Sequence, residues 1–429
     1  MTCRIALLFG ALFFALPTTA KNGIVNTTAT TVPPALARNC RKVQIPLGNI
    51  TAANIDFRGT MELVNFTSRA DVMDVFETCL DPEIFIDPYD YDIIHPVVEQ
   101  NVTIHGILCE PELPVSVNER QIHLLVHDLT YDKYMWHGLG LPQYSLADAL
   151  ASGLKGSYTL AIDLWGHGDS HGETYPDPWQ VLQPPFHVEV LHAIATKLRQ
   201  NQHGLWTAFK NVTYVGHGFG AQLGALLVED YPTDVNVFVG SGLPTANWAT
   251  PDPSEWRFVP SVSTDPKYAR QPLGYFAGEI TSSADRKNIL YGGLYDPELP
   301  ELDFVSQDTI AAGEACWGGS FLAPETFPRR LEFKGQTCLL AGEFDRVGCA
   351  DNAWSVEGAK CKDRLRDLCR YVFRKADCKI NVLGSTGHAW MLHKIGIQAV
   401  YTIRRWSYRG DSWGNLCTAL TRGEVKVPR

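Results

Sequence analysis

Short apolar runs alternate with longer segments of mixed polarity through the middle of the chain. Each run ends in polar residues or glycine and is followed by a segment whose apolar residues recur at helical spacing. The runs are IHLLVHD, YTLAIDLWGHG, VTYVGHG and VNVFVGSG, and the helical segments are YSLADALASGL, FHVEVLHAIATKLRQ and FGAQLGALLVEDY. Buried strands that alternate with amphipathic helices are typical of a parallel sheet covered on both faces. The pattern therefore predicts an α/β fold with a mostly parallel central sheet.

The alternation is bordered by a different pattern and interrupted once. Residues 41–120 contain strand-like runs such as NVTIHGILC beside a helical segment, RADVMDVFETCL, which predicts early antiparallel strands flanking a helix. Residues 245–330 are loop-rich, with many proline, glycine and aromatic residues. Unperiodic insertions of this length are usually functional, so we predict a lid or cap there. The alternation resumes at TCLLAGEFD and closes with a helix near KIGIQAVYTIRRW, which predicts one large domain over residues 41–429.

The first 20 residues have the pattern of a secretory signal peptide. Arg4 supplies the positive end, IALLFGALFFAL is a short apolar stretch, and PTTA permits cleavage after Ala20. A short N-terminal anchor is the alternative interpretation. Residues 21–40 are rich in Thr, Asn, Ala and Pro, which predicts a flexible lead-in. No later apolar run is long enough for a membrane helix, so we predict a protein without a membrane span that is secreted or lies in the lumen of the secretory pathway.

Cysteines and glycosylation sequons agree with an oxidising compartment. Ten cysteines follow the predicted signal, and an even number in a secreted chain suggests disulfides of unknown pairing. Cys338 lies in the apolar run TCLLAG and could instead be a buried free thiol. No CxxC pair is present, so a zinc site built on thiolates is not expected. Five N-x-[ST] sequons predict glycosylation at Asn26, Asn49, Asn65, Asn101 and Asn211.

Composition narrows the class of partner. The formal net charge is −10, and no basic patch with interleaved aromatic residues occurs, so nucleic acid is not expected as a partner. Nothing in the residues calls for a metal ion or an organic cofactor. The expected partner is a small-molecule substrate or ligand, and the sequence leaves the oligomeric state open.

The segment VTYVGHGFGAQLGALL has the pattern of the sharp turn that carries the nucleophile in acyl-transfer enzymes. Gly216 and Gly220 allow the strand and the helix to approach closely. The backbone N–H of Phe219 begins the helix, where partial positive charge favours an oxyanion. The nucleophile position of the usual G-x-S-x-G pattern is Gly218, which has no hydroxyl group.

Partners for such a turn follow in the expected order. LLAGEFD ends with Asp345 as the expected acid, and Glu343 is the alternative. LGSTGHAW places His388 in the loop after the last strand, where the base is expected. The backbone N–H of Leu129, which follows the strand LLVHD, is the second candidate for an oxyanion donor.

From about Val102 to Trp406 the sequence resembles the secreted fungal α/β-hydrolases. The segments that carry the resemblance are LCEP, LLVHD, YDKYMW, YSLADALASGLKGSYTLAIDLWGHGDS and VGHGFG, in this order. The resemblance implies the α/β-hydrolase fold and ester, amide or related acyl chemistry, and it allows a step in secondary metabolism. Two departures stand out: Gly218 replaces the nucleophilic serine, and Asp128 replaces a glycine beside the oxyanion hole.

Two functions are open on these grounds. In the first, Asp345 and His388 act as a base on a small, fairly apolar molecule, with water as nucleophile or in a reaction that needs only a base. In the second, the protein is a pseudo-hydrolase that keeps the pocket and serves as a binding or carrier protein.

Other residues have a functional and a structural interpretation. His167 and His171 flank Asp169 in HGDSH at a metal-ligand spacing, but the glycines favour a polar loop. Ser320 could supply a hydroxyl group or belong to an ordinary turn. His217 is expected to pack beside the turn without a role in proton transfer. Four aromatic residues could line a pocket or fill the insertion: Trp248, Trp256, Tyr275 and Trp317.

Overall fold

The computed structural model describes ten segments of the chain. They are residues 36–57, 68–80, 95–116, 120–153, 156–200, 208–243, 258–278, 283–317, 332–349 and 360–407. The predicted signal peptide and most of the predicted lead-in lie outside the described residues. So do five residues that the sequence analysis named: Asn26, Asn65, Trp248, Trp256 and Ser320.

Eight strands form a central sheet in the order β1-β2-β4-β3-β5-β6-β10-β11, and three short strands form a second sheet. The strands are β1 (Cys40–Ala53), β2 (Val97–Cys109), β3 (Gln121–Val126), β4 (Tyr158–Ile162), β5 (Asn211–His217), β6 (Val237–Ser241), β7 (Phe258–Pro260), β8 (Tyr275–Gly278), β9 (Ile310–Ala311), β10 (Gln336–Gly342) and β11 (Asp377–Leu383). β1 pairs antiparallel with β2, and β2 pairs antiparallel with β4. All other pairs in the central sheet are parallel. The mostly parallel α/β sheet and the early antiparallel strands are therefore confirmed.

Nine α-helices accompany the strands in the part of the chain that the structure describes. They are α1 (Arg69–Leu80), α2 (Leu146–Ala151), α3 (Pro184–Gln200), α4 (Phe219–Asp230), α5 (Ser283–Leu290), α6 (Leu299–Ser306), α7 (Ala312–Cys316), α8 (Cys361–Asp367) and α9 (Ala399–Ser407). α8 continues as one turn of π-helix over Leu368–Val372. The helices cover both faces of the central sheet because its strands are apolar on both sides. Leu124 of β3 packs with the cluster that contains Leu191 and Leu223, whereas its neighbour Leu125 packs on the opposite face with Ile403.

The segment between β6 and β10 contains more regular structure than its composition suggests. β7, β8 and β9 form an antiparallel sheet, and α5, α6 and α7 belong to the same segment. The expectation that residues 245–330 are mainly loop was wrong for residues 258–278 and 283–317, whose elements are too short to show periodicity. Glu314 of α7 anchors the segment to the main domain, because its Oε1 lies 2.8 Å from Nε2 of both His167 and His187. That the segment acts as a lid stays a prediction.

Three disulfides join cysteines within the described residues. They are Cys40–Cys109, Cys349–Cys361 and Cys369–Cys378. Cys40 and Cys109 are directly paired in the register of β1 and β2, so this bond ties an edge strand of the sheet to its neighbour. Cys338 is a buried free thiol, as its apolar surroundings indicated. Among the described helices, none is both long and apolar enough to cross a bilayer.

Candidate functional site

Four parallel strands end at one edge of the central sheet, and the candidate site lies there. β3 ends at Val126, β5 at His217, β10 at Gly342 and β11 at Leu383. In open α/β sheets, the loops after the carboxyl ends of the strands carry ligand sites. The residues that follow these four strands include every candidate that the sequence placed in the catalytic centre.

The turn from β5 to α4 has the sharp geometry that its glycines predict. Gly218 precedes the first residue of α4 and has φ +50° and ψ −116°, a conformation in which side chains are strained. A Cβ atom on Gly216 would lie 2.3 Å from the carbonyl oxygen of Gly220. A Cβ atom on Gly220 would lie 2.5 Å from the carbonyl oxygen of His127. The close approach of strand, helix and the β3 loop therefore excludes side chains at both flanking positions.

The structure brings Asp345 and His388 into direct contact. Nδ1 of His388 lies 2.8 Å from Oδ1 of Asp345, and both side chains are buried. The same carboxylate oxygen accepts hydrogen bonds from the backbone N–H groups of Val347 at 3.0 Å and Gly348 at 2.7 Å. Glu343, the alternative acid, instead accepts a hydrogen bond from the backbone of Ser385 at the surface. Of the two carboxylates considered, Asp345 is the one that contacts the histidine.

Both predicted oxyanion donors already have an acceptor within the chain. The backbone N–H groups of Leu129 and Phe219 donate to Oδ1 of Asp128 at 2.8 and 2.6 Å. These two amides converge on one oxygen atom, as an oxyanion hole requires. The oxygen atom is part of the side chain of Asp128, which the sequence identified as a departure from the usual glycine.

The second oxygen of Asp128 contacts the histidine. Oδ2 lies 3.0 Å from Nε2 of His388, so the imidazole is held between the carboxylates of Asp128 and Asp345. The Asp128 side chain also fills the space above the turn. A Cβ atom on Gly218 would lie 2.1 Å from Cγ and Oδ1 of Asp128, far below any normal contact distance. The two departures in sequence are thus one structural feature, because Asp128 occupies this space only while residue 218 is glycine.

This arrangement changes the charge of the site. Burial lowers the pKa of His388, but the charge of Asp345 and the hydrogen bonds to Asp128 and Asp345 outweigh it and raise the pKa to about 10. Burial raises the pKa of Asp128, yet the hydrogen bond and charge of His388 outweigh burial and hold it below its usual value. The pKa of Asp345 is also held below its usual value, since the charge of His388 outweighs burial. At neutral pH the site therefore contains an imidazolium between two carboxylates.

His217 is the fourth titratable group at this edge, and sequence reasoning gave it no chemical role. Its ring centroid lies 4.4 Å from that of His388, and its Nδ1 lies 3.1 Å from Oγ of Ser241. Oγ of Ser241 also accepts a hydrogen bond from the indole of Trp390. Burial and the nearby charge of His388 lower the pKa of His217 to about 3, so its imidazole is neutral.

Hydrolysis through an acyl-enzyme requires a nucleophile, an unprotonated base and open oxyanion donors. In this geometry residue 218 has no side chain, the imidazole is protonated, and both amides bond to Asp128. The segment LLVHD already showed an aspartate at position 128, but the sequence alone did not show that the carboxylate of Asp128 points into the site.

The remaining candidates among the described residues do not join this site. His167 is buried against Glu314, whereas His171 is half-buried and lies near the carbonyl group of Gly172, so the two do not form a metal site. Tyr275 and Trp317 are buried in the packing of the β7–β9 region. Among the sequons within the described residues, Asn49 and Asn101 are exposed and Asn211 is half-buried.

Comparison with protein families identifies a match over most of the domain. A family model described as "Alpha/beta hydrolase family" matches residues 124–394, which is well over half of the chain. No curated protein matches the chain.

Solved structures of several hydrolases are similar to this chain at low identity. A soluble variant of monoglyceride lipase from Saccharomyces cerevisiae, in complex with a substrate analogue, has a TM-score of 0.49 and 13% identity, with 72% of this chain and 92% of that chain covered. A thermophilic esterase from Thermogutta terrifontis has a TM-score of 0.43 and 13% identity, with 71% and 93% covered. 2-Hydroxy-6-oxo-6-phenylhexa-2,4-dienoate hydrolase from Rhodococcus sp. strain RHA1 has a TM-score of 0.43 and 15% identity, with 72% and 96% covered.

Proposed function

The chain belongs to the alpha/beta hydrolase family, and on this premise we propose that it is a pseudo-hydrolase that binds a small, fairly apolar molecule without acyl transfer. The observation that carries the proposal is the position of Asp128. Its carboxylate accepts both predicted oxyanion N–H groups and contacts the predicted base. The Asp128 side chain thereby occupies the oxyanion donors and keeps the base protonated, and Gly218 leaves the site without a nucleophile.

The loss of the oxyanion donors is expected to slow the reaction in addition to the missing nucleophile. Removing one such donor from a serine protease slows kcat by about 10²–10³-fold. Here the amides of Leu129 and Phe219 both bond to a fixed negative charge. A substrate carbonyl group that developed negative charge at this place would meet the carboxylate of Asp128, so the electrostatic effect is repulsive and opposes the reaction.

The alternative function, base catalysis by His388 and Asp345, has one observation in its favour. The Nδ1–Oδ1 distance of 2.8 Å is suited to a working acid–base pair. With the pKa of His388 at about 10, however, only a small fraction of the imidazole is free to accept a proton at neutral pH. Base catalysis on a small apolar substrate, including a step in secondary metabolism, would therefore increase steeply towards pH 10.

A rate measurement across pH separates these functions. We expect the purified protein, in the presence of EDTA, to hydrolyse activated p-nitrophenyl esters no faster than buffer between pH 6 and 10. We also expect no covalent labelling by a fluorophosphonate. Activity that rises with pH and disappears in His388→Ala would refute the pseudo-hydrolase and support base catalysis. The matched control is His192→Ala, because His192 forms a comparable pair with Asp234 at 2.7 Å outside the site.

We also propose that the protein is secreted and glycosylated. The signal-like first 20 residues, the three disulfides and the exposed side chains of Asn49 and Asn101 support this. Expression of the full chain in a eukaryotic host tests it. We expect the protein in the medium, with a chain that begins after Ala20 and a mass that decreases on treatment with an endoglycosidase. A mass unchanged by the enzyme would contradict the glycosylation.

A further inference from the structure

Three side chains that could bind a metal ion lie close together at the candidate site. A carboxylate oxygen of Asp128 and one ring nitrogen each of His217 and His388 lie within 4.8 Å of one another, and all three residues are buried. Metal–nitrogen and metal–oxygen bonds at zinc are about 2.0–2.2 Å, which places tetrahedral ligand atoms about 3.3 Å apart. The 3.0 Å distance between Oδ2 of Asp128 and Nε2 of His388 is close to this separation.

His217 supplies a second, independent observation. Its Nε2 atom is fully buried and has no hydrogen-bond partner among the described residues. A buried polar atom without a partner is uncommon, since its desolvation costs about 1–3 kcal/mol. Because Nδ1 of the same ring faces Ser241, Nε2 is the nitrogen left to bind a ligand.

The outer contacts of both histidines are those of metal ligands. A histidine that binds a metal through one nitrogen usually hydrogen-bonds a carboxylate, a carbonyl group or water through the other. Nδ1 of His388 lies 2.8 Å from Asp345, which gives a carboxylate–histidine arrangement behind the first ligand. Nδ1 of His217 lies 3.1 Å from Oγ of Ser241. These contacts hold both rings in place. Nε2 of His217 then has no partner among the described residues, and Nε2 of His388 contacts the carboxylate of Asp128, the third proposed ligand.

The charge of the cluster also favours a cation. Two buried carboxylates, those of Asp128 and Asp345, lie against the single imidazole of His388. Even a charged imidazole can balance only one of these two carboxylates. A divalent ion bound by two neutral imidazoles and a carboxylate would balance both carboxylates, and the proton on Nε2 of His388 would leave to solvent.

We propose that Asp128, His217 and His388 form a binding site for a divalent transition-metal ion. Two imidazole nitrogens and one carboxylate oxygen are ligands that zinc, cobalt and iron(II) accept, whereas magnesium and calcium prefer oxygen. Three protein ligands leave a fourth position open. This inference rests on the proposed function in one respect, because both require the Asp128 side chain to lie in the site.

Cobalt(II) titration tests the site directly, because the ion gives ligand-field absorption that reports its coordination. The full-length protein is first stripped with a chelator and then titrated with cobalt(II) at pH 7. We expect one equivalent to bind with the visible spectrum of a four-coordinate ion, and one equivalent of zinc(II) to displace it. Metal analysis of protein purified without chelators should detect a divalent transition-metal ion, at up to one equivalent per chain.

Two variants and a control assign the ligands. We expect His217→Gln and Asp128→Asn each to weaken binding by more than about 100-fold, since even residues behind the ligands change affinity by 10–100-fold. His123→Gln is the matched control, because His123 is a buried histidine bonded to Ser407 away from the cluster. Near-ultraviolet circular dichroism verifies that each variant is folded, and either folded variant is sufficient for the test.

The outcomes distinguish this inference from the proposed function. Absence of stoichiometric cobalt binding by the native protein, or binding that both variants retain, overturns the metal site. Ester hydrolysis in EDTA that depends on His388 overturns the pseudo-hydrolase and leaves the metal site intact. Hydrolysis that appears only when zinc is added supports the metal site and overturns the pseudo-hydrolase.

Discussion

Replacement of Gly218 by serine is the change that the sequence pattern suggests for restoring acyl chemistry, and the structure predicts that it fails alone. The new Cβ atom would lie 2.1 Å from Cγ of Asp128, and contacts below 3.0 Å force something to move. Overpacking of this kind costs about 1–3 kcal/mol. The φ of +50° adds about 1–3 kcal/mol of strain for a residue with a side chain. We therefore expect Gly218→Ser to lower the free energy of unfolding by about 2–6 kcal/mol.

Removing the Asp128 side chain should separate these two effects. In Gly218→Ser/Asp128→Gly the clash disappears and only the backbone strain remains. The amides of Leu129 and Phe219 also become available to a substrate oxygen. Since each donor contributes about 10²–10³-fold to kcat in a serine protease, we expect the double variant to hydrolyse a p-nitrophenyl ester at least about 100-fold faster than Gly218→Ser. His388, freed from one carboxylate, should have a lower pKa and act as the base.

The assay combines urea unfolding, ester hydrolysis and fluorophosphonate labelling on four proteins in EDTA. These are the native protein, Gly218→Ser, Asp128→Gly and the double variant. Asp128→Gly is the control, because it opens the donors without adding a nucleophile and should not be labelled. The reasoning is refuted if Gly218→Ser is as stable as the native protein and as active as the double variant.

Three further predictions concern buried charges. Because the pKa of His388 is raised from 6.5 to about 10, its contribution to stability is complete below pH 6.5 and is lost as pH rises through about 10. Urea unfolding of metal-free native and His388→Gln proteins should show a difference in the free energy of unfolding that shrinks over this range. A difference that stays constant with pH would contradict the prediction. Glu314→Gln should cost about 3–5 kcal/mol in the same assay at pH 7, because it removes the buried carboxylate that His167 and His187 share. A loss below about 1 kcal/mol, as for a surface pair, would argue against the anchor. Lys133→Met should also lower the free energy of unfolding by about 3–5 kcal/mol, because the ammonium group of Lys133 lies 2.6 Å from the buried carboxylate of Asp163. Adding Asp163→Asn should recover part of the lost stability.

The sequence predicted the framework of the site because each element depends on local pattern. The β5 turn follows from closely spaced glycines, and Asp345 and His388 follow from their places after apolar strands. The direction of the Asp128 side chain could not be predicted in this way. It depends on Leu129 nearby, on Phe219 in α4 and on His388, which lies 260 residues later in the chain. The sequence showed that aspartate replaces glycine at position 128, but the contacts of its carboxylate appear only in the folded structure.

The segment between β6 and β10 shows the other limit. β9 has two residues and β7 has three, so neither can display an alternating pattern. Their positions depend on pairing with β8 and on anchors such as the contact of Glu314 with His167 and His187. Such anchors join residues more than 100 positions apart, and a single sequence gives no signal for them.

The carboxylate of Asp128 has a consequence for the proposed binding function. It is a resident anion tethered to the same chain as the amides of Leu129 and Phe219 that hold it. Rigidly oriented groups on one molecule can reach effective concentrations of about 10⁵ M or more, which no free acid in solution approaches. Carboxylic acids, phosphonates and similar anions would thus compete poorly for these amides, so a ligand of the proposed binding protein is expected to be neutral where it approaches them.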